Sequence, residues 1–160
     1  QLAVRDGENV IASRIRFPRS LSLVGFVPNF LIETAGSRAL LEPSVSRSAA
    51  IFNLSRTALL VNALTTGDFS QLRIATQDAL HQQVRQQNFP SLSATIQAAI
   101  NAGAFGAFLS GAGPTVMAIT SERQMTIGYE MSEAASRFGI EGDVQIFKPA
   151  LYGSKVIRTQ

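Results

Sequence analysis

The sequence predicts an α+β domain: an antiparallel β-sheet covered on one face by helices. Three observations point there. Apolar, β-branched stretches lie near the start of the chain, at 109–119 and near its end, and turn-length polar segments separate them. The stretches with helical period are grouped between the strands rather than alternating with them, which argues against a parallel βαβ sheet. The 160 residues are 46% hydrophobic and 16% charged, enough apolar material for a core, and no linker, repeat or low-complexity segment divides them. Residues 1–160 are therefore read as one domain.

The elements follow in order. "ENVIASRIRF" and the apolar run "LSLVGFVP", stopped by Pro28, read as two strands, and the polar turn "FPRS" between them suggests a hairpin. "NFLIETAGSRALLEPS" is a loop or short helix ended by Pro43. In "SAAIFNLSRTALLVNAL", Ile51, Leu54, Ala58 and Val61 recur at three- and four-residue steps, which predicts a helix buried on that face; Leu64 carries the stripe toward a stop at Gly67. Asp68, with Gln71 at capping-box spacing, starts a second helix whose buried side is Leu72, Ala75 and Ala79. After Pro90, "SLSATIQAAINAG" is a third helix closing at Gly103, and "LSGAGPTVMAI" is a strand–turn–strand hairpin. "SERQMTIGYEMSEAASRFG" is a fourth helix with Met125, Tyr129, Ala135 and Phe138 inward. The tail "DVQIFKPALYGSKVI" reads as two short strands around Lys148-Pro149.

Composition excludes several kinds of chemistry. Cysteine is absent, which removes disulfides, thiolate metal sites and a cysteine nucleophile, and fits a reducing compartment. His81 is the sole histidine, so a multi-histidine metal centre cannot form. The net charge of +3 comes from arginines spread singly along the chain, without the basic block expected of a nucleic-acid binder. No apolar run approaches the length of a membrane span, which is about 18 residues or more. The expected location is the cytoplasm, with a plastid as the other compartment allowed.

The stretch most suggestive of function is "LSGAGPTVMAI". A conventional phosphate loop opens a helix and supplies a lysine, and this turn does neither. It also lacks the third glycine of the dinucleotide pattern. Two readings stay open from the residues alone. The glycines could simply supply positive φ with Pro114 fixing the exit, or the missing side chains could let another backbone approach closely.

The same stretch resembles the third conserved motif of the GHMP kinases. Two more segments narrow the likeness to the homoserine kinases of that family. "ETAGSRALLEP" is similar to their T-x-x-x-R-x-x-L-P segment, and "QDALHQQVRQ" to their D-x-L-H-Q-P-Y-R segment. The resemblance implies a ferredoxin-like GHMP kinase C-terminal domain, preceded by an ATP-binding N-terminal domain; the chain begins at Gln1 rather than Met. It implies ATP and Mg²⁺ as cofactors, held mainly by that other domain, and L-homoserine as substrate. By position, Thr34, Arg38 and Arg85 would bind the substrate; planar, charge-assisted guanidinium donors suit its carboxylate. Ser110, Gly111, Ala112 and Gly113 would support the phosphate loop. No catalytic or metal-binding residue is expected here, and neither nucleic acid nor membrane is an expected partner; a homodimer is allowed. His81 is expected to pack or cap, with Asp78 pairing to it along a helix face. Asn53 and Arg56 are expected to face solvent more than a cleft. Gly36, Glu42 before Pro43, and Gln83-Val84 before Arg85 depart from the family pattern, none at a charged ligand. Two other readings remain: a free-standing binding or regulatory module of this fold, and another GHMP small-molecule kinase.

Overall fold

The computed structural model describes residues 2–15, 17–150, 153, 156 and 157. Its centre is a four-stranded antiparallel sheet in the order β4-β5-β3-β6. The strands are β3 (Ser22–Pro28), β4 (Gly106–Leu109), β5 (Val116–Thr120) and β6 (Gly142–Phe147). β3 lies between β5 and β6, with Val24 opposite Ala118 on one side and Ile146 on the other. β4 and β5 form the hairpin expected around the glycine turn, closing at Leu109 opposite Val116.

The early strands pair differently from expectation. β2 (Asn9–Ser13) does not pair with the run ending at Pro28; it pairs with β1 (Leu2–Asp6), Val4 facing Ile11, in a separate exposed hairpin. Asp6-Gly7 explains the choice. Gly7 takes φ +61° in the loop between Asp6 and Asn9, a tighter closure than "FPRS" offers.

Helices α5 (Leu92–Asn101) and α6 (Gln124–Ser136) cover one face of the sheet. There Val24, Phe26, Val116 and Ala118 meet Leu92, Ala99, Ile127, Met131 and Ala135, all essentially inaccessible to solvent. α5 stops before Gly103, which adopts φ +108°, as expected. α6 occupies the expected span but buries another face: Met125, Tyr129 and Phe138 are exposed, while Ile127, Gly128, Met131 and Ala134 join Ala135 inside. Close approach decides it. A Cβ at Gly128 would collide with the Val144 side chain of β6, so the smallest residues of α6 must face the sheet.

On the opposite face, Leu21, Leu23 and Ile119 pack with Phe105 and Phe108 against α2 (Arg47–Thr66) and α3 (Leu72–Ala75). α2 is the predicted helix, capped by the Ser46 side chain and stopped at Gly67 with φ +80°. Its inward side matches the predicted stripe only at Leu64. Ile51 and Leu54 are 56% and 71% exposed, and Ala63, with Leu60 and Leu64, enters the cluster. This helix is apolar on several sides, so period alone does not select a face; the aromatic surface of Phe69, Phe105 and Phe108 does.

α3 is shorter than expected. Asp68 accepts from the Ser70 N–H and the Gln71 amide before a 3-10 turn over Phe69–Gln71. The helix ends as Thr76 Oγ1 turns back onto the Leu72 carbonyl, leaving Ala79 in the following turn rather than on a buried helix face. Gly106 lets the Leu72 carbonyl lie on β4, since a Cβ there would come within 2.7 Å of it. The second strand predicted for the tail, after Pro149, falls mostly outside the described residues. Among the described residues no helix is long and apolar enough to cross a membrane.

Candidate functional site

A cleft of about 630 Å³ opens on this second face. Its floor is apolar: Leu23, Phe108 and Ile119 from the sheet, with Leu60 and Leu64 from α2. Its rim is polar and comes from three short segments that the chain would not bring together locally: α1 (Thr34–Ala39), the turn and helix α4 (Gln82–Arg85), and the glycine turn between β4 and β5.

α1 places Thr34 and Arg38 one helical turn apart, so both reach the same side. Ser37 between them is 2% exposed, and its hydroxyl donates to the Ala112 carbonyl at 3.2 Å. That contact fixes α1 against the glycine turn.

α4 is prepared by Asp78. Its Oδ2 accepts the N–H groups of His81 and Gln82, each at 2.6 Å, and its Oδ1 accepts the Asn53 amide of α2 at 2.6 Å. Asn53 Oδ1 in turn accepts the Ala79 N–H at 2.9 Å. Burial alone would raise the Asp78 carboxyl, but the hydrogen bonds from Asn53, Gln82 and His81 outweigh it and lower the pKa from 3.8 to about 2. Further along, Gln82 Oε1 accepts the Leu109 N–H at 2.7 Å, and Arg85 Nη1 donates to the Gly111 carbonyl at 2.5 Å.

The glycine turn needs both its glycines: Gly111 adopts φ +56° and Gly113 φ +88°, ahead of a cis Gly113-Pro114 peptide. Ser110 N–H bonds the Thr115 carbonyl and Gly113 N–H bonds the Ser110 carbonyl, which closes the turn. The Gly111 and Ala112 carbonyls are taken by Arg85 and Ser37. Among the described residues their N–H groups donate to no backbone carbonyl. Two N–H groups without a lysine or a helix terminus do not make up a whole phosphate site.

Of the residues singled out from sequence, Thr34, Arg38, Arg85, Gly111 and Ala112 line this one cleft. Ser110 and Gly113 hold the turn's shape. His81 also lines the cleft; its side chain is 47% exposed, with Nδ1 3.1 Å from Asp78 Oδ1. It occupies the N-cap position of α4 without a side-chain cap hydrogen bond, the capping acceptor being Asp78, and its ring pairs with Asp78 at the entrance to α4 rather than along a helix face. The expectation that Asn53 faces solvent is corrected: it is half-buried, because its amide is the partner that Asp78 needs. Arg56 stays apart from the cleft, stacked 3.6 Å over the Phe52 ring. Sequence reasoning missed Ser37 and Gln82. The Asp78 cap was open to discovery, since an Asp three and four residues ahead of candidate helix N–H groups is a capping signal. Among the described residues no cluster of three His, Cys, Asp or Glu side chains could hold a metal ion.

Residues 60–135 match the family model described as GHMP kinases C terminal. Over that stretch the chain is similar to the C-terminal domain of GHMP kinases. Similar proteins agree. The homoserine kinase of Aquifex aeolicus is 38% identical over 148 residues, covering 92% of this chain and 50% of the relative. That of Moorella thermoacetica is 38% identical over 155 residues, covering 97% and 52%. A crystal structure of homoserine kinase from Cytophaga hutchinsonii superposes with TM-score 0.79 at 25% identity, over 86% of this chain and 44% of that one. The chain thus spans about half the length of the curated relatives it matches. The cleft is where the three motif segments converge.

Proposed function

We propose that this chain is the amino-acid-binding half of a homoserine kinase, joined in the complete protein to an N-terminal ATP-binding domain. The complete enzyme transfers the γ-phosphoryl group of ATP, with Mg²⁺, to the side-chain hydroxyl of L-homoserine. The observation carrying this reading is the meeting of Thr34, Arg38 and Arg85 with Gly111 and Ala112 around one cleft. Two guanidiniums from different elements suit a carboxylate, and the Thr34 hydroxyl adds a donor. The apolar floor of Leu23, Phe108 and Ile119 limits water around the ligand. The turn from Ser110 to Gly113 would border the phosphate site without supplying charge to it. The chain's contribution is then binding and orientation, the main protein terms in phosphoryl transfer. When bound, ATP and Mg²⁺ supply the transferred group and the counter-charge, chiefly from the other half.

The test is ATP-dependent phosphorylation of L-homoserine by the full-length gene product. Arg85→Ala should raise the KM for homoserine by about ten-fold, the loss expected of one charge-assisted contact, with the KM for ATP little changed. No phosphorylation of L-homoserine overturns the reading; an unchanged homoserine KM removes Arg85 from it.

A further inference from the structure

We infer that Gln82, together with the Asn53–Asp78 pair that starts its helix, is a positioning residue for Arg85. It holds the guanidinium in place before any ligand arrives. The inference rests on the proposed role of Arg85 as a carboxylate ligand.

α4 spans only Gln82–Arg85, a single turn, and a helix that short is not stable by its own hydrogen bonds. Its order must come from outside. At its start, Asp78 accepts two successive N–H groups and is tied through Asn53 to the long helix α2. One turn later, Gln82 Oε1 takes the N–H of Leu109, the last residue of β4, at 2.7 Å. That donor also fixes which end of the Gln82 amide faces the strand. At the end of the helix, Arg85 reaches the Gly111 carbonyl. Gln82 and Arg85, three residues apart on α4, fall on one side of it, and both line the cleft together with Asp78.

Gln82 and Arg85 therefore grip the glycine turn at two nearby points, Leu109 and Gly111. A guanidinium on an untethered one-turn helix would have to be ordered during binding, at a cost in side-chain freedom. Here the tether has removed much of that freedom already, which is preorganisation of a binding group by its supporting contacts. Gln82 need not touch substrate to do this.

The experiment uses the full-length gene product and two variants of one residue. Gln82→Met keeps the size and removes the acceptor; Gln82→Glu keeps an acceptor. Heteronuclear NMR of the Arg85 Nε–H, with no ligand present, reads the order of the guanidinium directly. Calorimetric titration reads the Kd for L-homoserine and for ATP. In Q82M the Arg85 Nε–H should exchange faster with water. The homoserine Kd should rise roughly three- to ten-fold, with the ATP Kd unchanged. Q82E should recover most of both effects, and adding Q82M to Arg85→Ala should cost nothing more. An unaltered Arg85 signal in Q82M, or an equal loss of homoserine affinity with and without Arg85, overturns the inference. If Q82M does not fold, Asn53→Ala loosens the same helix from the α2 side and is read in the same way. If Arg85 responds to Q82M but the wild-type protein binds no L-homoserine, the positioning stands and the homoserine kinase reading falls.

Discussion

Replacing Asp78 with Ala should destabilise the protein by about 2–3 kcal/mol at neutral pH, and the gap should narrow in acid. The carboxylate accepts from the Asn53 amide and from the N–H groups of His81 and Gln82 at 2.6 Å, and lies 3.1 Å from the His81 ring. Charge-assisted bonds are each worth roughly 1.5–3 kcal/mol, but they are not additive around one group. The side chain is 15% exposed, so water can replace part of what is lost. The pH dependence follows from the carboxyl's lowered pKa, about 2 against an ordinary 3.8. A depressed carboxylate contributes stability that is complete above its unfolded value and is lost as the pH falls through the folded one. For Asp78 that window runs from 3.8 down to about 2. The shift corresponds to about 2 kcal/mol, reduced to about 1 kcal/mol once solvent screening of a partly exposed group is allowed for. Urea denaturation of wild type and Asp78→Ala, followed by circular dichroism along a pH series through that window, measures both effects. The gap should shrink by about 1 kcal/mol from neutral pH to the acid end. A gap that is constant with pH, or smaller than about 0.5 kcal/mol at neutral pH, refutes the reasoning.

Two substitutions separate the buried and exposed sides of the helices. Leu72→Ala, at a fully buried position, should cost about 2–5 kcal/mol, whereas Leu54→Ala on the exposed side of α2 should stay within about 0.5 kcal/mol in the same urea titrations. Similar losses at the two sites would contradict the orientation of α2. Gly106→Ala would push a methyl group to 2.7 Å from the Leu72 carbonyl, so α3 must shift off β4. The expected loss is about 1–3 kcal/mol, and a Tm equal to wild type would show that the contact is not tight.

Element types were readable where chemistry is local. The stops at Gly67 and Gly103, the cap at Asp68 and the hairpin at 109–119 each depend on residues within a few positions of one another. Helix faces were readable in α3, where Leu72 and Ala75 are buried as expected, but not in α2 and α6. α2 and α6 carry apolar residues on more than one side, and the selection lies in their partners: Phe105 and Phe108 for α2, Val144 for α6. The pairing of β2 went astray for a related reason. Two turns competed for the same strand, and the tighter one, at Gly7, lies before the stretch first read as a strand. Of the rim residues, Thr34, Arg38 and Arg85 were legible only through motif resemblance. Gln82 was not legible at all, because its partner Leu109 is far along the chain.

The amino-acid order by itself determined an α+β domain with a two-glycine turn, two arginine-bearing segments and no thiol chemistry, because these depend on composition, local backbone preference and short spacings. Only the tertiary structure decided that Thr34, Arg38, Arg85, Gly111 and Ala112 share one cleft, and that Asn53, Asp78 and Gln82 are hydrogen-bonded around the helix that carries Arg85. Contacts between residues far apart in sequence form only when the sheet and α2 supply a common frame. The burial that builds that frame is collective, belonging to no segment alone.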